Sequence, residues 1–483
     1  MTANLVSDRL AAVTLGLGLF ADPARRAGAA VEEVAWRPPG DGDPLLAALL
    51  AEMTGDSTDL DGPGARIDRA NAEAVRRVLA AKPMLVDVAL HARDVWPDCE
   101  RTLTHAGAPI AWEAMCGPMK GAAIGAVLYE GWARSPEEAE RMLASGEIPF
   151  TPCHHRGAVG PMAGIISPSM PLFIVRNEDR GNLAYTNFNE GIGKVLRFGA
   201  NDASVVKRLK WLEEVLAPAL KAAIARVPGG VPLKAIQAQA LLMGDEVHSR
   251  NTAATLLFLA AIAPALAESG ISAIVVAETL RFIAATSQFF LNLSMVSSKA
   301  IMDSAHGLEA SSLVTAIARN GVTVGIRVSG LGGRWFEAPA DMPKGLFFPG
   351  FKQEDANIDL GDSAITETAG FGGFSIAASP ALVQLVGGTP AAATAYSREM
   401  YEVTLASNPA LSLPSLDFAG APTGIDLRKV LDTGIRPVVT TGIAHKVAGI
   451  GQIGAGIVRV PMGCFVAAAR ALARELGIAE HAE

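Results

Sequence analysis

Cysteine is scarce in this chain and follows no pattern. Only Cys99, Cys116, Cys153 and Cys464 occur. They contain no CxxC pair and no regular spacing, which excludes a disulfide framework and a cysteine-rich metal module. They read as reduced thiols of a cytoplasmic protein. Aromatic residues make up 6% of the chain and charged residues 19%, while half the residues are apolar, a balance that excludes disorder. Basic residues are outnumbered 41 to 49, giving a net charge of −8. No general affinity for nucleic acid or an anionic membrane is therefore expected, although a local basic pocket for a small anion is compatible with it. The best candidate for a membrane span, Thr252–Ala267, holds Pro264 and falls short of the ~20 residues a span needs. A buried core helix is expected there instead. Asp8 and Arg9 interrupt the start and the apolar stretch Val13–Phe20 is short, so no signal peptide is expected. A Gly-x-Ser-x-Gly elbow is missing too, and no cysteine sits in a nucleophile motif. These gaps favour noncovalent anion chemistry over an acyl-enzyme.

What is present points to a multidomain α+β / α/β fold, since 483 residues exceed what one core organises. Residues 1–150 read as an α/β N-terminal domain. Strand-like runs at Ala12–Leu19, Val31–Trp36 and Pro83–Val88 alternate with helix-like runs at Asp43–Glu52 and Ile67–Ala81. Met115–Ala133 carries Gly117, Gly121, Gly125 and Gly131, which would let a helix pack closely on a neighbour. Pro136–Ser145 reads as an acidic amphipathic helix capped by Ser135. Residues 151–201, dense in glycine, proline, asparagine and arginine, read as a ligand-loop region joining the domains. Residues 202–321 read as a helical domain. Asp202 caps a helix with apolar positions Val205, Val206, Leu209, Leu212, Val215 and Leu216, kinked at Pro218 and ended by Gly229–Gly230. Further helices are expected at Leu233–Met243, Asn251–Ala267, Ser272–Thr286 and Met302–Asn320. Residues 322–483 read as an α+β C-terminal domain. Its expected strands are Val322–Val328, Ala364–Thr368, Pro437–Thr441 and Gly456–Val460, and its closing helix is Cys464–Leu476.

Several motifs carry chemistry, each with a plainer alternative. Gly449–Gly454 matches GxGxxG, but a β-rich run follows where a helix would have to start, so a glycine-rich strand connection is expected. In Asn187–Gly199 the glycines let backbone N–H groups approach an anion, Lys194 and Arg197 supply charge, and Asn187 and Asn189 can orient an amide or carboxylate. The alternative is a turn with solvated cations. Gly244–Asn251 gathers two carboxylates, His248, Arg250 and Asn251 at the start of an apolar helix, whose end favours anions. Otherwise it is a helix linker with Asn251 as cap. Adjacent histidines in Cys153–Arg156 rarely converge on one metal, and no metal site is expected; a loop or a ligand-lining histidine is the reading. Arg176 follows an apolar run and either enters a cleft or marks a surface turn. Thr440–Lys446 places hydroxyls, His445 and Lys446 at a strand end, as a wall of an anion site or around a buried imidazole. Asp359–Asp362 with Glu367 is a turn or a polar cluster.

Taken together, Val34–Pro39, Met115–Ala133, Pro152–Met170, Gly181–Gly199, Gly244–Asn251 and Thr440–Cys464 resemble the YlbE (AllG-type) family over about residues 10–470. The resemblance implies a subunit of an oxamate carbamoyltransferase in allantoin breakdown, acting with an FdrA-type protein and a third small partner. That enzyme interconverts oxalurate plus phosphate with oxamate plus carbamoyl phosphate, so small anionic substrates are implied and no cofactor. The meeting of two anions calls for cations, here Arg176, Lys194, Arg197 and Arg250, with Asn187, Asn189 and Asn251 for orientation. His248 or His445, with Glu190, are the candidate catalytic groups for moving the proton to the departing amide nitrogen. The S-x-R-T loop and H-P-x-x motif of ordinary transcarbamylases are missing, so the site is expected to be of another design or shared with a partner. An assembly subunit without its own chemistry, or an enzyme on another ureido or amide substrate, remain alternatives. The apolar content favours a homo-oligomer.

Overall fold

Every residue from Phe290 to Met302 is buried, so the helix Phe290–Asp303 has no face for solvent. A helix buried on every face has to be surrounded, its polar side chains included, and the rest of the computed structural model is arranged about this one. The structure describes residues 11–15, 18–34, 38–55 and 59–478. Asp8, Arg9 and the end of the expected strand Val31–Trp36 lie outside them, as does part of Val34–Pro39.

One flank of the helix is a five-stranded sheet in the order Ala158–Val159, Leu183–Thr186, Leu172–Asn177, Pro83–Ala89, Val231–Pro232. Its strands are antiparallel apart from the first pair. The region 151–201, expected to be loops, thus supplies three of the five strands, and the sheet crosses both expected boundaries near 150 and 201. A second, antiparallel sheet runs Phe336–Pro339, Thr323–Val328, Val314–Asn320, Leu360–Gly361, and a third runs Lys344–Phe347, Gln452–Arg459, Val438–Ala444. A long hairpin joins Thr404–Leu413 to Ala419–Ile425. The helices Pro44–Thr54 and Met462–Leu476 share one apolar cluster with the second and third sheets, so sequence order and spatial order part company at both ends.

Many expected elements are present. Ser135 accepts from the Glu138 amide and caps Pro136–Ala144, and Asp202 caps Ala203–Trp211. Pro218 follows a π-turn at Leu212–Leu216 and begins Ala217–Ile224. Gly121 packs so closely that a Cβ there would lie 2.3 Å from the Gly199 carbonyl oxygen. The GxGxxG stretch is a turn leading into the strand Gln452–Arg459.

Two expectations are corrected. The helix expected at Met302–Asn320 ends at Asp303, and Val314–Asn320 is a strand buried at all seven positions. A strand covered on both faces has no polar alternation to betray it. The strand expected at Ala364–Thr368 is a short helix, Ile365–Thr368. The Thr366 and Thr368 hydroxyls donate to the carbonyls of Ser363 and Ile365 three residues back, a local bond that competes with strand pairing. All four cysteines are free. No single helix among the described residues is long and apolar enough to cross a membrane. Ala273–Ala285 and Phe290–Asp303 pass by composition only as a pair bent by 79°, and the second is the buried central helix.

Candidate active site

Asn292, in the first turn of the central helix, joins the polar loops that the sequence singles out. Its Nδ2 donates to the Asn187 carbonyl oxygen at 2.7 Å and to Asn187 Oδ1 at 3.0 Å, and its Oδ1 accepts from Asn189 Nδ2 at 3.0 Å. Asn189 Nδ2 also donates to the Gln288 carbonyl oxygen. Gln288 bridges the two loops: its Oε1 accepts from Arg197 Nη2 at 3.4 Å and its Nε2 donates to the Ser249 carbonyl oxygen at 3.2 Å. Asn187–Gly199 and Gly244–Asn251 therefore meet over the N-terminal end of the central helix.

Arg197 is 3% exposed. Its Nε donates to the Gly191 carbonyl oxygen, and Phe198 lies against the guanidinium. Burial lowers its pKa to about 10, with Glu190 opposing the fall, so it remains a cation at neutral pH. Glu190, also buried, accepts the Leu196 amide at 2.7 Å, and burial raises its carboxyl above the ordinary range. Arg197 Nη1, Ser249 Oγ and Asn251 Oδ1 are buried without a hydrogen-bond partner among the described residues. Unsatisfied buried polar atoms are rare, and these three lie on one bridged pair of loops.

Below this lies an acid–imidazole layer. His248 Nδ1 is 2.8 and 3.0 Å from the two oxygens of Glu367. Glu367 also accepts from the amides of Gly373 and Thr440 and from the Thr366 hydroxyl. A carboxylate at Nδ1 fixes the tautomer and leaves Nε2 as the nitrogen that exchanges a proton. Glu246, fully buried, accepts the Ser249 and Arg250 amides and the Thr440 hydroxyl, and burial raises its pKa. Between them Val247 holds φ at +65°, a strained position for a β-branched residue. The Ser294 hydroxyl, donating to its carbonyl oxygen at 2.6 Å, helps to fix it there. The cap expected of Asn251 is supplied instead by Asp245, whose Oδ2 accepts the Ala254 amide; the Asn251 side chain donates back to the His248 carbonyl oxygen. Asp245 also pairs with Arg250 at 3.2 Å.

Other sequence candidates lie apart. Lys194 is exposed and paired with Asp202. Arg176 is exposed on the strand Leu172–Asn177. His445 accepts the Val447 amide at Nδ1 and packs on Phe351, so its ring serves a local turn. Gln288, Asn292 and the pairing of Glu367 with His248 were missed. The available signal was the polar series Asn292, Ser294, Ser297, Ser298 and Lys299 inside an otherwise apolar helix. The described residues contain no cluster able to hold a metal ion. A broad cleft of about 810 Å³ lies elsewhere, beside Asp341, Lys344, Tyr396, Arg436 and Arg459. Arg436 and Arg459 are already paired with Asp341 and Glu399, so the cleft offers less unmatched chemistry than the Arg197 cluster.

A family model described as "Oxamate carbamoyltransferase subunit AllG" matches residues 148–363, a span holding both loops, Gln288 and Asn292. The chain is similar to the oxamate carbamoyltransferase subunit AllG of Escherichia coli K12, at 50% identity over 414 residues, 85% of this chain and 99% of that protein. It is also similar to the uncharacterized protein YahG of the same organism, 45% identical over 466 residues, 96% of this chain and 97% of the relative. A crystal structure of a conserved protein of unknown function from Enterococcus faecalis V583 matches with a TM-score of 0.83 at 48% identity, covering 86% of this chain and 99% of that one.

Proposed function

The chain belongs to the AllG family, and from that premise we propose that it is a subunit of an oxamate carbamoyltransferase that carries a substrate-binding part of the site. The observation behind this reading is the buried Arg197 guanidinium with an unused Nη1, joined through Gln288 to the loop that carries the unused Ser249 hydroxyl and Asn251 amide oxygen. In the reaction, a phosphate oxygen bonds to the terminal ureido carbon of oxalurate as the bond from that carbon to the oxamyl nitrogen breaks. The proton leaving phosphate ends on that nitrogen, so oxamate and carbamoyl phosphate are the products. Arg197 is cast as the cation that offsets the approach of two anions and the charge growing on the ureido oxygen, worth most where water is excluded. The Gly191 carbonyl and Gln288 hold it in place, and Asn189 fixes the Gly191 amide. His248, held at Nδ1 by Glu367, is cast as the shuttle that takes the proton from phosphate at Nε2 and gives it to the departing nitrogen.

The pathway is allantoin breakdown in the cytoplasm, a setting the free thiols suit. An FdrA-type protein and a third subunit complete the enzyme. Exposed Leu256 and Ile274 on neighbouring helices suit such contacts. The test is phosphate-dependent formation of carbamoyl phosphate from oxalurate by the complex assembled from purified subunits. Substitution Arg197→Ala should lower kcat/KM at least a hundredfold with the complex intact. Full activity of that variant, or no turnover of oxalurate by the wild-type complex, overturns the reading. Similarity over nearly the whole chain to YahG, whose name carries no reaction, is the reason to run other ureido acids beside oxalurate.

A further inference from the structure

A second cluster of buried cationic and imidazole groups sits at the other end of the central helix. Lys299 is seven residues beyond Asn292, about 10 Å along the axis. Lys299 is 1% exposed and pairs with Asp303 at 2.7 Å, so those two charges cancel. Arg327, on the strand Thr323–Val328, is 9% exposed, and no ion pair joins it to a carboxylate among the described residues. Its Nη2 is 3.0 Å from His306 Nε2, and His306 Nδ1 is 2.7 Å from Thr315 Oγ1. A guanidinium only donates, so His306 Nε2 accepts, Nδ1 carries the hydrogen and the ring is neutral. The Trp335 indole donates to His155 Nε2 at 2.9 Å, which makes that nitrogen an acceptor too. Trp335 also lies beneath Arg327 and meets the ring of His154 edge-on at 5.3 Å.

Two groups here are unfinished. Arg327 Nε and both ring nitrogens of His154 are buried with no hydrogen-bond partner among the described residues; the nearest acid to His154, Asp362, is 3.7 Å away. A buried cation without a counter-ion is costly, as is a buried imidazole that bonds to nothing. Burial, with Arg327 and Lys299 nearby, pushes the pKa of His154 well down, and that of His306 to about 4. The rings therefore offer N–H dipoles and no charge at neutral pH. At the cluster's edge His155 is exposed and Asp303, His306 and Trp335 are part-buried, and a Cβ placed on exposed Gly333 would lie 3.8 Å from Arg327 Nη2.

We propose that this cluster binds the carboxylate of a small monoanion, with Arg327 supplying the charge, His154 an N–H and Trp335 the floor. Asp303 acts on both Arg327 and Lys299, and Asp362 on Lys299, so little positive charge is left over, which suits a singly charged carboxylate better than a phosphate dianion. The site is separate from the Arg197 cluster and stands whatever reaction that cluster serves.

The test is titration of the full Arg197→Gln chain, which lacks the cation assigned to oxamate and phosphate at the first site, with sodium formate, oxamate, inorganic phosphate and chloride, read by tryptophan fluorescence and by Tm. Formate and oxamate should give a saturable fluorescence change and a raised Tm, with phosphate and chloride at least tenfold weaker. Trp335→Phe should remove the fluorescence change and keep the Tm rise. Added to Arg197→Gln, Arg327→Gln and His154→Phe should each weaken carboxylate binding tenfold or more, and Arg327→Lys less. Should Arg327→Gln fail to fold, Arg327→Lys and His154→Phe carry the test. The proposal is overturned by either of two results: no saturable response to a carboxylate, or phosphate binding tighter than formate.

Discussion

Replacing Asp362 by asparagine tests whether its carboxyl is held close to neutral in the native protein. The side chain is fully buried, and burial raises its pKa from 3.8 to about 7, against the opposing pull of the Gly107 and Gly160 amides and of Arg319 and Lys299. In the unfolded chain it titrates near 3.8. Between those values the native state binds the extra proton, so stability is full below about pH 4 and falls as pH rises toward 7. At about 1.4 kcal/mol per pKa unit the loss is about 4 kcal/mol. Asparagine cannot ionise, but its Nδ2 cannot accept one of the Gly107 and Gly160 amides that the two carboxyl oxygens now take. Asp362→Asn should therefore start below wild type at pH 5, by the lost amide bond, and recover about 3 kcal/mol relative to it by pH 8. Glu190, Asp245 and Glu246 are also raised by burial and slope the same way, but they are common to both proteins and cancel in the difference. Urea denaturation at the two pH values, followed by tryptophan fluorescence, reads it. A stability difference that stays constant from pH 5 to pH 8 would refute the reasoning.

Asn292→Ala strips partners from Asn187 and Asn189 in a sealed interior and should cost about 2–5 kcal/mol, seen as faster hydrogen exchange in the 187–199 and 244–251 loops together. Gly372→Ala places a Cβ 2.0 Å from Glu367 Oε1 at φ +60°, so it should lower Tm by several degrees and abolish turnover by dislodging Glu367 from His248. Lys194→Ala, breaking only an exposed pair, should change stability by less than about 1 kcal/mol and leave kcat/KM within twofold in the same assay.

The two loops of the site were legible in the sequence because polar and charged residues crowd where glycine frees the backbone, and the structure brings both to one end of the central helix. Their meeting point was not. Gln288 and Asn292 lie at the start of a helix buried on every face, so its polar residues do not gather on one solvent side that would show its register. The strand Val314–Asn320 was misread for the related reason that burial on both sides erases alternation. Glu367 was visible only as one acid after a turn, since its partner His248 is 119 residues away. Lys299 and Arg327 were passed over because each sits singly among apolar neighbours. A lone charge in such a run was the signal, and only the fold shows that the two lie close together.

The most direct test of the central claim is isothermal calorimetry of the purified chain with carbamoyl phosphate, then oxamate, in wild type and Arg197→Ala. The account predicts saturable binding of carbamoyl phosphate that weakens at least tenfold in the variant, because the unused Nη1 of a buried guanidinium is the group that meets it. Binding of equal strength in both proteins, or none in a well-folded wild type, would contradict the placement of the substrate at Arg197.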